Sequence, residues 1–349
     1  MKRTIVLTML VASLCVTGTV VKASSPLQIL LGGALSMAVV SDEISKMDDT
    51  DAGQQASLTR VKERTGYLDN PTYQERAKRI LKELEKTKLV KRKYVVYVTP
   101  EEDLNAFMTL GRVMAINKGT MDLLDDGELA AVIGHELGHG EHKDNARGFR
   151  KQAGVATAVQ AATANAGTVG VVLGNLSVNY LENQVFTMSQ EKEADEFAFK
   201  VLTASPYNVA SGAAAMAVIK DKYGDTYREG LSKVLAPNDH PKTSNRILEH
   251  LKWMHEYSGK HVKVEGKTVY VNQQAVYEGV AAGKYTAEIR AYLVAGKIAR
   301  LFNQKQMGNA TQEGKTVYIG KLSLVTADTL EEASSIVERI NTAVKNKGQ

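Results

Sequence analysis

His135-Glu136-Leu137-Gly138-His139, following the apolar run Ala130-Ala131-Val132-Ile133-Gly134, is the stretch on which the reading of this chain turns. On a helix, residues i and i+4 share a face with Cβ atoms about 5–6 Å apart, so both imidazoles can reach one point. A Zn²⁺ ion takes histidine nitrogen at about 2.0–2.1 Å, which that spacing permits. Glu136 lies beside this face, poorly placed as a third ligand and well placed to take a proton from a water. The flanks support a helix. Asp125 is an N-cap with Glu128 as its capping-box partner, and Leu129, Val132, Ile133 and Leu137 recur at helical spacing. The spacing predicts a zinc hydrolase.

Two histidines are not a complete site. A catalytic zinc takes three protein ligands and keeps a fourth position for water or substrate. With 7 His and a single Cys in 349 residues, the candidates are few. The run Glu191 to Ala198 reads as the start of a second helix, with Ala194, Ala198, Val201 and Leu202 facing inward. On it Glu191 and Asp195 form an i, i+4 carboxylate pair. Such a pair can supply one ligand and one acceptor that holds a ligand imidazole in its tautomer.

At this point the chain resembles a known family, the HtpX and CAAX-prenyl-protease type of gluzincin metallopeptidase, which includes soluble periplasmic members. The resemblance runs from about residue 94 to 250. It is carried by Tyr94-Val95-Val96-Tyr97-Val98, Asn105-Ala106-Phe107 with Gly111, Asp122-Leu123-Leu124, and Glu128-Leu129-Ala130-Ala131-Val132 leading into the motif helix. Downstream it continues in Glu191 with Ala194-Asp195, and in His240-Pro241-Lys242-Thr243-Ser244-Asn245-Arg246-Ile247. The resemblance implies that His135, His139 and Glu191 bind one zinc per chain and that Glu136 is general base, then general acid. It further implies that Asp195 orients a zinc-binding histidine. His240 would lie over the metal, either stabilising the tetrahedral intermediate or capping the resting site, with Arg246 in support. The chain departs from the family in two places. Met188 stands where an Arg commonly precedes the ligand Glu by three residues, and Leu110-Gly111-Arg112 stands where Pro-Gly-Gly is usual.

The N-terminus reads as a leader. Lys2-Arg3 is a basic region, Ile5 to Val21 an apolar one, and Val21-Lys22-Ala23 a cleavage site before Ser24. Cys15 falls inside it, behind Leu14 where a lipoprotein box needs a small residue, so lipidation is not expected. Residues 24–349 then contain no cysteine and no disulfide. An extracytoplasmic protein is expected, periplasmic or secreted.

Composition is that of a globular protein, 44% hydrophobic and 24% charged. The net charge of +5 is local in origin: residues 59–93 hold twelve Lys/Arg against five Asp/Glu. Much of that stretch is an amphipathic helix, with Asn70 as cap, Pro71 at its first position, and Tyr73, Ala77, Ile80, Leu81 and Leu84 on one face. Its basic side allows contact with a membrane surface; no nucleic-acid module is visible. Leu27 to Val40, at about 14 residues, is short of the roughly 20 needed to span a bilayer and reads as a buried or interfacial helix. The uncharged residues between Lys151 and Glu182 read as a lid over the cleft.

After about residue 259 the pattern changes to alternation. Val262, Val264, Val269 and Val271 flank Glu265-Gly266, a hairpin signal. The string Glu-Gly-Lys-Thr-Val-Tyr occurs at 265–270 and again at 313–318, 48 residues on, and helix-like runs follow at Thr286 to Asn303 and Leu330 to Lys345. Without a phosphate-loop glycine spacing, Gly-Lys-Thr here is strand.

The expected class is α+β: a mainly helical gluzincin domain with a small sheet, plus a small C-terminal α+β domain. The expected organisation is a leader (1–23), an apolar linker (24–58), a metallopeptidase domain (59–258) and the repeat domain (259–349). The expected function is an extracytoplasmic zinc endopeptidase, with substrate lying extended along an exposed sheet edge near Asn105 to Met114. Such backbone pairing suits misfolded or unassembled proteins. The alternative is a zinc-bearing chaperone or assembly factor for envelope proteins with little proteolysis. Oligomeric state is not legible.

Overall fold

The computed structural model describes residues 38, 40–151, 186–225 and 242–346. The leader, His240 and all of the lid segment after Lys151 lie outside them, as does Leu27–Val40 apart from Ala38 and Val40. The fold is the expected mainly helical α+β class, with three small sheets among the described residues. No helix among the described residues is long and apolar enough to cross a membrane.

After a helical stretch over 40–49 come α1 (Asp51–Thr65) and α2 (Pro71–Glu85). The Thr50 hydroxyl accepts the Gly53 N–H at the start of α1, and Asn70 caps α2 ahead of Pro71. Next come β1 (Val95–Thr99), β2 (Ala106–Met108) and β3 (Val113–Asn117), in the order β1-β3-β2. The central β3 pairs parallel with β1 and antiparallel with β2. Successive side chains alternate between the faces, and both faces are covered. Tyr97, Phe107, Val113 and Ala115 cluster with Val61 of α1. Val96, Val98, Met108, Met114 and Ile116 join the main core with Ile80, Leu81 and Leu84 of α2. That two-sided burial explains why the Tyr94–Val98 run is apolar throughout.

A short α3 (Lys118–Leu123) leads into α4 (Asp126–Glu141), which carries the motif. At its start the Glu128 carboxylate accepts the Asp125 N–H at 2.9 Å, as the capping box predicts. Then follow α5 (Met188–Ala204), α6 (Ser211–Tyr223) and α7 (Thr243–Tyr257). Helices α4 and α5 approach most closely at small residues. A Cβ on Gly134 would lie 3.2 Å from the Ala198 Cα, and one on Gly138 only 2.8 Å from the Ala194 Cα. Gly134 with Gly138, and Ala194 with Ala198, are each spaced by four, so the seam repeats once per turn.

The remainder is two copies of one unit: β4 (Val262–Glu265), β5 (Thr268–Val271), β6 (Gln274–Glu278) and α8 (Ala287–Asn303), then β7 (Ala310–Glu313), β8 (Thr316–Ile319), β9 (Leu322–Thr326) and α9 (Leu330–Lys345). Both sheets are antiparallel meanders with matching registers, Val262 opposite Val271 and Ala310 opposite Ile319. Each has a bulge at the same repeat position, Val269/Tyr270 and Val317/Tyr318. The 48-residue offset of the sequence string is thus an offset of whole sheets.

The Gly138 contact leaves no room for a methyl group. Gly138→Ala should cost about 1–3 kcal/mol, as overpacking does, and should push the two helices apart. Chemical denaturation checks it; a variant as stable as the parent would show the seam to be slack.

Candidate metal centre

Because the small-residue seam draws α5 against α4, the ends of three side chains meet. The Nε2 atoms of His135 and His139 lie 3.2 Å apart. Glu191 places one carboxylate oxygen 3.6 Å from His135 Nε2 and the other 3.6 Å from His139 Nε2. Among the described residues these three form a group able to hold a metal ion, with ligand atoms all within 4.8 Å of one another. Ligands at about 2.0–2.1 Å around a tetrahedral ion stand roughly 3.3–3.4 Å apart, so the donor set fits zinc.

The proton positions fit as well. His135 Nδ1 is 2.8 Å from Asp195 Oδ1, and His139 Nδ1 is 2.9 Å from Asp144 Oδ2, all four residues being buried. A carboxylate can only accept, so each Nδ1 carries a hydrogen, and Nε2 is the atom each ring turns toward the shared point for a metal. Arg246 holds Asp195 with two bonds, Nε to Oδ2 at 2.8 Å and an Nη2 donor to Oδ1 at 2.6 Å. The same Nη2 is 3.3 Å from His135 Nδ1. Both atoms bear hydrogens, so that approach is a contact and not a hydrogen bond.

Asp144 was not anticipated from the sequence. It is fully buried, and it also accepts from the Gln190 side-chain amide at 2.9 Å and from Arg147. It stands five residues after His139, where helical spacing from the motif gives no reason to single it out. Burial pushes its carboxyl up, but hydrogen bonds from His139, Arg147 and Gln190 bring it below the usual carboxylate range. Phe186, just before α5, stacks on the His139 ring at 3.8 Å between centroids and 14° between planes. On the other side of Asp195, burial lowers His250 to about 4, so it stays neutral and leaves that carboxylate's charge to Arg246 and His135.

Glu136 faces away from α5, toward the sheet. Its Oε2 accepts the Met108 N–H at 2.7 Å, and the Asn145 amide donates to the Met108 carbonyl at 3.1 Å. Strand β2 is therefore an edge strand, as expected, but a buried one: the outward polar groups of Met108 are already taken. Of the two family departures, Arg112 has a structural use. Its guanidinium binds the carbonyls of Asp48, Lys93 and Thr50, tying down the turn that enters α1. Met188 is exposed in the first turn of α5.

The sequence pattern described as Peptidase family M48 matches residues 69–254, more than half of the chain. The chain belongs to peptidase family M48, a family of metallopeptidases. It is 31% identical to Metalloprotease LoiP of Escherichia coli over 160 residues, 44% of this chain and 59% of that protein. It is 27% identical over 170 residues to a putative beta-barrel assembly-enhancing protease of Vibrio cholerae, covering 46% and 34%. It is 48% identical over 54 residues to a Protease HtpX homolog of Salinibacter ruber, covering 14% and 19%. The chain thus spans less than two thirds of each of these curated relatives.

In the metal-free chain His135 is held at about 9. Burial would lower it, and the Asp195 hydrogen bond and charge outweigh that, aided by Glu191. The imidazole is then protonated at neutral pH, and a metal must displace that proton. A raised pKa stabilises the metal-free fold fully below about 6.5 and loses that contribution as pH rises through about 9, which favours the metal-bound form. Zinc binding at pH 7.5 should release about one proton, and affinity should climb with pH up to about 9. Calorimetry in buffers of different ionisation enthalpy measures this; a buffer-independent heat would contradict it.

Proposed function

We propose that this M48 peptidase is an extracytoplasmic zinc-dependent endopeptidase that cleaves peptide bonds in misfolded or unassembled proteins. The observation that carries the reading is the convergence of two Nε2 atoms and the Glu191 carboxylate, each imidazole backed by its own buried carboxylate.

When bound by His135, His139 and Glu191, a zinc ion would polarise the scissile carbonyl and bring a water's pKa toward neutrality. The chain's own part is proton movement and alignment. Glu136 takes the proton of the attacking water and passes it to the leaving amine nitrogen. Its carboxylate accepts the Met108 N–H and so faces the sheet edge, where substrate arrives. The ladder turns the Ala106 backbone to the same side as that of Met108, and with the Met108 groups already bonded an extended peptide would pair at Ala106. Arg246, through Asp195, keeps the His135 ring fixed while charge shifts around it. His240 is assigned to the reacting oxygen on the family resemblance.

Main-chain pairing favours extended, unfolded segments over any one side-chain pattern, which supports a clearance role. The leader-like N-terminus supports a place outside the cytoplasm. The names of the relatives, one of them a putative beta-barrel assembly-enhancing protease, are in keeping with both.

Glu136→Gln should retain zinc and lower the cleavage of unfolded casein by at least about 100-fold. Proteolysis measured on zinc-loaded protein checks this, and undiminished turnover would remove Glu136 from the mechanism. A Glu136→Gln chain that still rescues a deletion phenotype would point to the chaperone reading.

A further inference from the structure

Helix α8 belongs to the repeat domain, beyond residues 69–254, yet it is fastened to both helices that carry the candidate ligands. We propose that α8 and the loop before it are a brace that sets the spacing of α4 and α5, so that the repeat domain positions the metal-binding side chains. The inference rests on reading His135, His139 and Glu191 as a metal site.

The first observation is a break in the repeat. Strands of the two units superpose on the 48-residue offset, but the connection from the last strand to its helix does not. It runs over 279–286 in the first unit and only 327–329 in the second, five residues fewer. Lys284 and Tyr285 sit in the longer loop, and both reach the start of α4. The Tyr285 hydroxyl donates to Asp125. Lys284 Nζ is 2.5 Å from the other Asp125 oxygen, donates to the Leu123 carbonyl at 3.1 Å, and stands 3.8 Å from Glu128. Asp125 and Glu128 are the capping pair of the motif helix, so the loop grips that helix at its N-terminus.

The second observation lies at the far end of α8. Arg300 donates to the carbonyls of Leu202 at 2.9 Å and Ser205 at 2.7 Å, and also to Tyr207. The last carbonyls of a helix have no partner within it and favour a cation nearby. Arg300 fills both needs for α5, the helix of Glu191 and Asp195. Between these ends, Asn208 donates to the Leu293 carbonyl at 2.7 Å. Gly296 comes so near this segment that a Cβ would lie 1.9 Å from Asn208 Oδ1. A helix of 17 residues, about 25 Å long, thus runs from the cap of one ligand helix to the tail of the other.

Metal ligation tolerates errors of about 0.2 Å, so small sliding of α5 along the glycine seam would spoil the triangle of donors. A brace that limits the sliding strengthens metal binding, and by reciprocity a bound metal tightens the brace.

The full chain and three variants test this with zinc alone as probe. Lys284→Met with Tyr285→Phe frees the α4 end, and Arg300→Met frees the α5 end. Lys297→Met is the control, because among the described residues Lys297 ties α8 to the Ser323 and Leu324 carbonyls of the second unit. Chelator competition should show zinc binding weakened roughly tenfold in the first two variants and unchanged within about twofold in the control, whatever its thermal stability. Zinc should also slow amide exchange across residues 284–303 in the parent and not in the loop double variant. Equal losses in all three, or no loss in the first two, would overturn the brace. If Arg300→Met does not fold, the surface double variant decides alone. A parent chain that takes up no zinc overturns the metal-site reading, and the brace falls with it.

Discussion

Everything at the candidate centre depends on how nearly two helix backbones touch. Glutamate is short, and Glu191 reaches the two imidazoles only because Gly134 and Gly138 offer no side chain to Ala194 and Ala198. A larger residue at any of these four positions would move the carboxylate out of range before altering a single donor. The seam also buries Asp195 against His135, where removal from water makes the Arg246 pair and the imidazole hydrogen bond count for more. Burial alone would favour a neutral carboxyl; the Arg246 charge and the His135 hydrogen bond hold Asp195 well below the usual range.

The rest of the fold can be seen as support for that contact. On one side α4 lies on the sheet, where Glu136 meets the Met108 N–H. On the other, α7 packs against α5 and α6 and brings Arg246 and His250 to Asp195. The two imidazoles are treated alike, each with a buried acceptor on Nδ1, but from different sources. Asp195 comes from the partner helix itself, while Asp144 comes from the residues just past the motif and reaches that helix through the Gln190 amide.

Features set by periodicity were legible in the sequence. The motif helix with Asp125 and Glu128, the helix opened by Asn70-Pro71, the Val262–Val271 hairpin and the 48-residue duplication follow from spacings of 3.6, 2 and 48. Asp195 could be read as an orienting carboxylate because it shares a helix face with Glu191. Asp144, Phe186 and the grip of Lys284, Tyr285 and Arg300 could not be read, because they depend on which faces meet in space. The buried state of β2 was hidden for a related reason. Its outward groups at Met108 are satisfied by side chains from α4 and from Asn145, not by a neighbouring strand that alternation would reveal.

X-ray absorption at the zinc edge on purified full-length protein tests the central claim most directly. One zinc per chain, with a shell of oxygen and nitrogen at about 2.0–2.1 Å that includes at least two imidazoles and loses one oxygen donor in Glu191→Ala, is the predicted result. A chain that folds without stoichiometric zinc, or a shell with fewer than two imidazoles, would contradict it.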